Sequence, residues 1–214
     1  MRIRWHGHSC FEIGLDNLTL VTDPHDGRSI GIAPPRVRAD IVLVSHGHFD
    51  HSKTHIVSRS TTKEITGPGR WKVKGVDIRG FNTFHDRAGG QLRGENVVFL
   101  FEMAGLTFCH LGDLGHILTP EQVQAMGKVD FLFVPVGGTF TIDAREAWQV
   151  IDLIKPRVVI PMHYRIGGLS LSIEGIDPFL AERNGYVLTK VGNEIEFEPD
   201  DLLDILDLWI FTPE

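Results

Sequence analysis

Three histidines and one aspartate lie within six consecutive residues of this 214-residue chain. The stretch, from His46 to His51, reads HGHFDH and directly follows the apolar run at 41–44. Imidazole and carboxylate groups are usual protein ligands of zinc, and they also suit iron and manganese. In an extended segment, a spacing of two places His46 and His48 on one side, and Asp50 and His51 follow as the chain turns. The stretch therefore predicts a metal site in which one loop supplies two adjacent groups of ligands.

The surrounding sequence predicts a scaffold of strands and helices. Its apolar runs are short, rich in Val, Ile and Phe, and bounded by Gly, Pro, Asp or Asn, which is typical of strands in a layered α/β protein. Strands are expected at 18–21, 41–44, 97–101, 108–111, 131–136, 158–160 and 195–197. Helices are expected to begin at Thr119, Asp143 and Asp177 and to end near Gly127, Pro156 and Gly185. Because helices separate groups of strands, we predict an α/β sandwich.

Length and composition suit one domain that spans 1–214. The chain is 42% hydrophobic, and its 23 glycines and 11 prolines fall between apolar runs without forming a linker or a low-complexity tract. The net charge of −7 argues against a large nucleic-acid surface, which would need clustered Lys and Arg. No signal-peptide core is present, and no apolar stretch approaches the ~18 residues that span a bilayer. We therefore expect a cytoplasmic protein without a membrane span.

Several motifs resemble those of a known family. HGHFDH matches the His-x-His-x-Asp-His signature of the metallo-β-lactamase superfamily. The opening hairpin of the lactonase-like branch resembles IRWHGHSCFEI at 3–13, and the second strand of that branch resembles LVTDP at 20–24. The aspartate motif is similar to HLGDLG at 110–115, and the last histidine motif is similar to IPMHY at 160–164. Over most of its length the chain thus resembles lactonase-like proteins and uncharacterised bacterial metal-dependent hydrolases. The resemblance implies a four-layer αβ/βα sandwich with a di-metal site.

The resemblance also implies a set of ligands. The first ion would be held by His46, His48 and His85, the second by Asp50, His51 and His163, and both by a bridging Asp113. The residues agree with this reading, since His46, Asp113 and His163 each come at or just after the end of an apolar run. Strand ends are where a rigid scaffold can hold ligands on its rim.

Two histidines are candidates for one of the ligand positions. The family pattern requires a histidine between the first motif and the aspartate, and both His85 and His110 are available. On a strand at 107–111, His110 would face away from Asp113 if the alternation of side chains continued, although Gly112 can break it. The family places this histidine about thirty residues before the aspartate, so we prefer His85. His110 would then support the ligands or belong to the core.

Two divalent ions would act on a water molecule between them, lowering its pKa to near neutrality, and the resulting hydroxide would cleave the substrate. Zinc is favoured, with manganese and iron as alternatives. Asp113 would hold both ions, and Asp50 would aim the nucleophile. His116 would orient or protonate the substrate, or it would only cap a turn. The expected substrate is a small or lipid-like ester, either a lactone or a phosphodiester, with Arg165 as the best phosphate contact. The alternative is a non-catalytic metal-binding or sensor protein on the same scaffold.

Two further features carry weaker signals. His6 and His8 alternate with Trp5 on the first predicted strand and so share one face, for which we favour a structural role in the hairpin over a contact in the cleft. The tail at 200–214 alternates acidic residues with Leu, Ile and Trp. We expect this amphipathic extension to pack on the surface of its own domain, with a contact in a homo-oligomer as the alternative.

Overall fold

Two β-sheets form the centre of the molecule. A computed structural model describes residues 1–212 of the chain. In spatial order, the first sheet contains β13 (Glu194–Glu196), β1 (Arg2–Trp5), β2 (Phe11–Leu15), β3 (Leu18–Thr22), β4 (Ile41–Leu43) and β5 (Lys63–Ile65). In spatial order, the second sheet contains β12 (Val187–Lys190), β14 (Asp207–Ile210), β11 (Val158–Met162), β10 (Phe131–Pro135), β9 (Leu106–His110), β8 (Glu95–Met103), β7 (Val76–Phe84) and β6 (Gly69–Val73).

Both faces of the first sheet carry buried apolar side chains, because successive residues of a strand point to opposite faces. Leu20 and Ile41 point into the main core between the two sheets. Their neighbours Val21 and Val42 point to the other side and join a smaller apolar cluster that includes Val57. Among the described residues, this outer cluster is packed by loop residues and by Ile56 of a short 3-10 helix, Thr54–Ile56, and no α-helix contributes to it. The outer layer on this side is therefore thin.

The second sheet has a parallel centre with an antiparallel flank. Strands β9, β10, β11 and β14 run parallel, whereas β6, β7 and β8 form a meander that pairs antiparallel with β9. Every residue of β10 and β11 is buried, because the first sheet covers one face and helices cover the other. Phe11 of β2 lies on Phe133 of β10 with ring centroids 4.7 Å apart, so the core lies between the two sheets.

Two of the three described α-helices begin after the caps that the sequence predicts, whereas the third begins at Asp177 without a side-chain cap. The helices are α1 (Pro120–Met126), α2 (Ala144–Ile154) and α3 (Asp177–Ala181). Thr119 and Asp143 form capping boxes with Gln122 and Glu146, which satisfy free N–H groups at the start of α1 and α2. Helix α2 lies against β10, and its Trp148 stacks on Phe179 of α3. Within the described residues, every helix is too short or too polar to cross a membrane. The predicted αβ/βα sandwich is confirmed.

The tail forms part of the second sheet. Strand β14 lies between β12 and β11 and pairs in parallel with both. Trp209 and Phe211 are buried, and the Trp209 ring meets Phe131 of β10 edge-on with centroids 5.5 Å apart. Residues 207–210 are thus an interior strand and not a surface extension, while residues 213 and 214 of the predicted tail lie outside the described part.

Candidate metal centre

The ligand-bearing loops follow the carboxyl ends of strands in both sheets. The HGHFDH stretch follows β4 of the first sheet, whereas His85, Asp113 and His163 follow β7, β9 and β11 of the second. Because β9 and β11 run parallel to β10, their carboxyl ends reach the same edge of the sheet. The two sheets also meet there, since the main-chain N–H of Val97 in β8 donates to the carbonyl of Ser45 at 2.8 Å. Both sheets therefore supply ligands to one place.

The first ligand group consists of His46, His48 and His85. One ring nitrogen of each lies within 4.8 Å of the others. The ring centroids are 4.5 Å apart for His46 and His48, 4.8 Å for His46 and His85, and 5.0 Å for His48 and His85. His46 and His85 are buried, whereas His48 is exposed to solvent. The structure thus brings together the three histidines that the resemblance assigns to one ion.

The second ligand group contains Asp50, His51 and His163. Their potential donor atoms also lie within 4.8 Å of one another, and all three residues are buried. A fourth residue, His8, belongs to the same group. Its Nε2 atom is 3.2 Å from Oδ2 of Asp50 and 3.1 Å from Nε2 of His51.

Asp113 lies between the two groups. Its Oδ2 atom is 3.2 Å from Nε2 of His85 in the first group. The same oxygen is 3.1 Å from Nε2 of His163 and 3.3 Å from Nε2 of His51 in the second group. Its other oxygen, Oδ1, is buried and has no hydrogen-bond partner among the described residues. A carboxylate in this position can contact ions held by either group.

These distances are compatible with donor atoms that share a metal ion. Donors 2.0–2.1 Å from a tetrahedral zinc lie about 3.4 Å from one another. The contacts of Asp113 Oδ2 with the surrounding imidazoles span 3.1–3.8 Å. In addition, Nε2 of His46 is buried without a hydrogen-bond partner among residues 1–212. Buried polar atoms are normally paired, so this orphan nitrogen indicates a place for a cation.

Three further side chains orient the candidate ligands. Asp23 accepts hydrogen bonds from the main-chain N–H of Ser45 at 2.7 Å, from the Ser45 hydroxyl at 2.6 Å and from Nδ1 of His51 at 2.9 Å. The Ser45 hydroxyl in turn lies 2.9 Å from Nδ1 of His46. Because Nδ1 of each histidine is engaged, Nε2 is left to face the ligand cluster. Asn96 accepts from the main-chain N–H of Asp113 at 2.9 Å and fixes that turn.

The electrostatics of the cluster favour a bound cation. Burial, and then the proximity of His51, lower the pKa of His46 to about 3, so its imidazole is neutral. Burial alone would raise the pKa of Asp113, but His163 and His51 hold it well below its usual value. Burial alone would lower the pKa of His51, but Asp113 and then Asp23 raise it well above its usual value. Anionic carboxylates surrounded by imidazoles thus create a site for positive charge.

Two of the predicted site residues do not contact the cluster. His116 is half-buried, and both of its ring nitrogens bind the main chain: Nε2 accepts from the N–H of Phe84 at 3.2 Å, and Nδ1 donates to the carbonyl of Ile117 at 2.9 Å. This favours the turn-capping role over proton transfer. Arg165 is exposed and lines an open cavity of about 620 Å³. Its side chain makes no hydrogen bond or ion pair within residues 1–212, and its main-chain N–H donates to Glu174 at 2.7 Å.

The remaining histidines fall into two classes: those that lie in the ligand cluster and those that bind other groups. His85 lies in the cluster, whereas His110 binds the main chain through both nitrogens, donating to the Ser9 carbonyl at 3.1 Å and accepting from the N–H of Gly112 at 3.2 Å. His6 has the structural contact expected of it, since its Nε2 lies 3.1 Å from Glu12 in the hairpin. For His8, by contrast, the structural role was the wrong choice, because its ring lies among the ligands.

Comparisons with known proteins agree with this geometry. The β-lactamase superfamily domain matches residues 2–163. A UPF0173 protein of Pyrococcus abyssi is 30% identical over 217 residues, covering 89% of this chain and 95% of that protein. A UPF0173 metal-dependent hydrolase of Thermoplasma acidophilum is 28% identical over 188 residues, covering 77% of this chain and 83% of that protein. A solved structure from Thermotoga maritima, for which a zinc-dependent hydrolase activity has been proposed, has a TM-score of 0.80 at 39% identity and covers 99% of both chains.

The matched domain contains both ligand groups. It begins in β1 and ends at His163, the last of the predicted ligands. The sandwich of two mixed sheets and the His/Asp cluster at their shared edge are therefore features of the region that the domain describes. Sequence, fold and ligand geometry together show that the chain belongs to the metallo-β-lactamase superfamily, among relatives named as metal-dependent hydrolases.

Proposed function

We propose that the protein is a hydrolase that uses two divalent ions, preferably zinc, to cleave a small or lipid-like ester, either a lactone or a phosphodiester. The observation that carries this proposal is the position of Asp113, whose Oδ2 lies 3.1–3.3 Å from donor atoms of both ligand groups. Relatives named as metal-dependent hydrolases support hydrolysis. The activity proposed for the Thermotoga maritima protein supports zinc.

Each of the two ligand groups would hold one ion. His46, His48 and His85 would hold one ion, and the group that contains His51 and His163 would hold the other. When bound, two divalent ions at these positions would lower the pKa of a water molecule to near neutrality and would stabilise the negative charge that develops on the attacked centre. Preorganised charges of this kind stabilise a transition state without the cost of reorganisation.

Asp50 belongs to the second group, in which its Oδ2 lies 3.6 Å from Nε2 of His51, and it would help to hold the ion and to aim the nucleophile. Asp23 and Asn96 hold His51 and the Asp113 turn through the hydrogen bonds given above. Because these supports are buried, their positions are fixed before substrate arrives.

The open side of the centre is the side of His48. His48 is the exposed member of the first group, and the next residue, Phe49, exposes 48% of its surface. An exposed aromatic side chain is thus next in the sequence to the exposed candidate ligand. An organic substituent on the substrate could therefore pack on Phe49, which fits an ester with an apolar part.

The test compares two substrate classes on the same metal-loaded protein. Bis(p-nitrophenyl) phosphate and a panel of lactones are assayed with the unmodified chain and with His51→Ala and Asp113→Ala. Each substitution removes a ligand, so turnover should fall by about 100-fold or more, together with metal content. Full turnover with two bound ions in Asp113→Ala would contradict the assignment.

Arg165 provides the test between the two classes. It comes two residues after His163, and its exposed guanidinium has no partner within the described residues, so it is free to bind a phosphate. Arg165→Ala should raise KM for the phosphodiester about tenfold, which corresponds to ~1.4 kcal/mol, and leave lactone turnover unchanged. Arg145→Ala, on the exposed side of α2, is the matched control. If two ions are bound and neither substrate is cleaved, the protein is a metal-binding or sensor protein instead.

A further inference from the structure

We propose that His8 is a fourth protein ligand of the second ion, in addition to Asp50, His51 and His163. The inference rests on the proposed di-metal function, but it concerns a residue that the family pattern does not assign. His8 lies in the turn between β1 and β2, and its side chain is completely buried. Its ring centroid is 4.3 Å from that of His163. The N-terminal hairpin thus reaches into the metal centre.

Three donor atoms around His8 form a nearly regular triangle. The side from Nε2 of His8 to Nε2 of His51 is 3.1 Å, and the side from Nε2 of His8 to Oδ2 of Asp50 is 3.2 Å. The third side, from Nε2 of His51 to Oδ2 of Asp50, is 3.6 Å. Donors that share a tetrahedral zinc are about 3.4 Å apart. The triangle therefore has the dimensions of one face of a metal coordination shell.

The close approach of two imidazole nitrogens has a simple explanation in such a shell. Nδ1 of His51 lies 2.9 Å from Asp23, so with an ion bound this nitrogen would keep its proton and Nε2 would offer a lone pair to the ion. Nδ1 of His8 is buried without a hydrogen-bond partner among residues 1–212, and Nε2 is the nitrogen of His8 that faces the cluster, 3.1 Å from Nε2 of His51. Oδ2 of Asp50 likewise offers only lone pairs when ionised. An ion shared by His8, Asp50 and His51 satisfies all three atoms at once.

The backbone holds His8 in this position. The carbonyl of His8 accepts hydrogen bonds from Nε1 of Trp5 at 3.0 Å and from the main-chain N–H of His163 at 3.3 Å. His8 has φ of +54°, in the left-handed region that non-glycine residues rarely adopt. Such a conformation persists where the surroundings determine it. The direct contact with the main chain of His163 links the position of His8 to that of another ligand.

A fourth ligand makes the two ion sites unequal. The second group would offer four side chains in addition to Asp113, and all four are buried. The first group would offer three, of which His48 is exposed. Zinc sites that are closed by protein ligands are structural, whereas catalytic sites keep an open position. We therefore assign tight retention of metal to the second site and the position that substrate can reach to the first.

The test measures metal binding and not only turnover. Zinc content after dialysis and competition with a chromogenic chelator are compared for the unmodified chain, His8→Ala, His8→Gln and His6→Ala. His6 is the matched control, because it lies in the same hairpin but binds Glu12 at 3.1 Å. We expect two ions in the unmodified chain and in His6→Ala. Both His8 variants should keep one ion and bind the second about 100-fold more weakly, as loss of a ligand costs at least as much as loss of a residue that orients one.

Replacement of zinc by cobalt provides a second, spectroscopic measurement on the same site. The visible absorption of bound Co²⁺ depends on ligand number, so it should change in His8→Ala and return when free imidazole is added. His8→Gln separates coordination from hydrogen bonding, because its amide can still donate to Asp50. It also serves if His8→Ala does not fold, which is checked by urea unfolding of the metal-free proteins.

The outcomes are distinct for this inference and for the proposed function. Two ions held at unchanged affinity by His8→Gln or a folded His8→Ala, with an unchanged cobalt spectrum, would overturn the role of His8. A chain that holds fewer than two ions would also overturn it. If the unmodified chain holds two ions, loses one in the His8 variants and hydrolyses neither substrate class, the ligand assignment stands and the hydrolase proposal fails.

Discussion

Asp23→Asn should weaken the second metal site, because the Asp23 carboxylate holds the His51 side chain in place. The carboxylate accepts three hydrogen bonds at 2.6–2.9 Å, two from Ser45 and one from His51, and it is 1% exposed. Asparagine has nearly the same shape but replaces one oxygen with an NH₂ group, which must face at least one of these donors. Loss of one hydrogen bond to a charged acceptor costs about 1.5–3 kcal/mol.

The same magnitude follows from the behaviour of metal sites. Residues that orient metal-bound histidines typically change affinity by about 10- to 100-fold when replaced, which is ~1.4–2.8 kcal/mol. We therefore expect Asp23→Asn to bind the second zinc ion about 10- to 100-fold more weakly and the metal-free protein to lose about 1.5–3 kcal/mol of unfolding free energy.

Chelator competition on the zinc-loaded proteins and urea unfolding of the metal-free proteins measure the two quantities. Asp26→Asn is a suitable control, because among the described residues the Asp26 carboxylate accepts hydrogen bonds only from Ser29, at 2.7 and 2.6 Å, in a neighbouring turn. The control should retain the metal affinity of the unmodified chain. Equal zinc affinity in Asp23→Asn and Asp26→Asn would refute the idea that Asp23 holds His51 in place.

Two other predictions concern packing and pH. In Gly137→Ala, the new Cβ would lie 2.1 Å from the carbonyl oxygen of His163, so the ligand must shift, and zinc content measured after dialysis should fall. Gly167→Ala, with nothing within 4 Å, should leave zinc content unchanged, and equal content in both variants would contradict this reasoning. Burial opposes a low pKa for Glu12, but the hydrogen bond with His6 and nearby arginines lower it below the usual 4.5. Glu12 therefore stabilises the fold above that pH and ceases to do so as pH falls through its folded pKa, so urea unfolding of Glu12→Gln should show a deficit of about 1–2 kcal/mol at pH 7 that disappears in acid. A deficit independent of pH would contradict it.

Local spacing and the family resemblance together predicted the larger part of the candidate metal centre. The HGHFDH stretch brings four candidate ligands together shortly after a strand ends. His85 was preferred over His110 because of the spacing found in the family, and the structure places His85 in the cluster. In each case the information lies within a few residues of a strand end, where chain direction and side-chain position are closely linked.

The position of His8 could not be read in the same way. The prediction assumed that alternation continues through His6 and His8, but β1 ends at Trp5 and the next residues form a turn. Positive φ angles at Gly7 and His8 turn the second histidine toward ligands that lie about forty residues later. Asp23 was visible in the sequence only as part of a strand motif. Its role depends on contacts with Ser45 and His51, which only the folded chain brings to it.

Tertiary contacts also determine which groups His116 binds and which secondary structure the tail forms. The position of His116, three residues after Asp113, indicated a catalytic group, but main-chain atoms of Phe84 and Ile117 occupy both ring nitrogens. The acidic and apolar residues of the tail form an amphipathic pattern, yet 207–210 form a strand because β11 and β12 leave a place between them. Pairing with strands that are distant in the sequence therefore determines the structure of this segment, and its local amphipathic pattern does not.

Both sheets contribute residues to the His/Asp cluster, so an ion bound there would link metal supply to folding thermodynamically. The HGHFDH loop belongs to the first sheet, and Asp113 and His163 belong to the second. Ions that bind only the assembled edge would draw the two halves together and stabilise the fold by about 2.7 kcal/mol per site when free metal reaches 100 times the dissociation constant. The lifetime of the protein in the cell would then depend on the available metal. Metal-free molecules would unfold more often where the two sheets meet, and unfolded molecules are degraded faster.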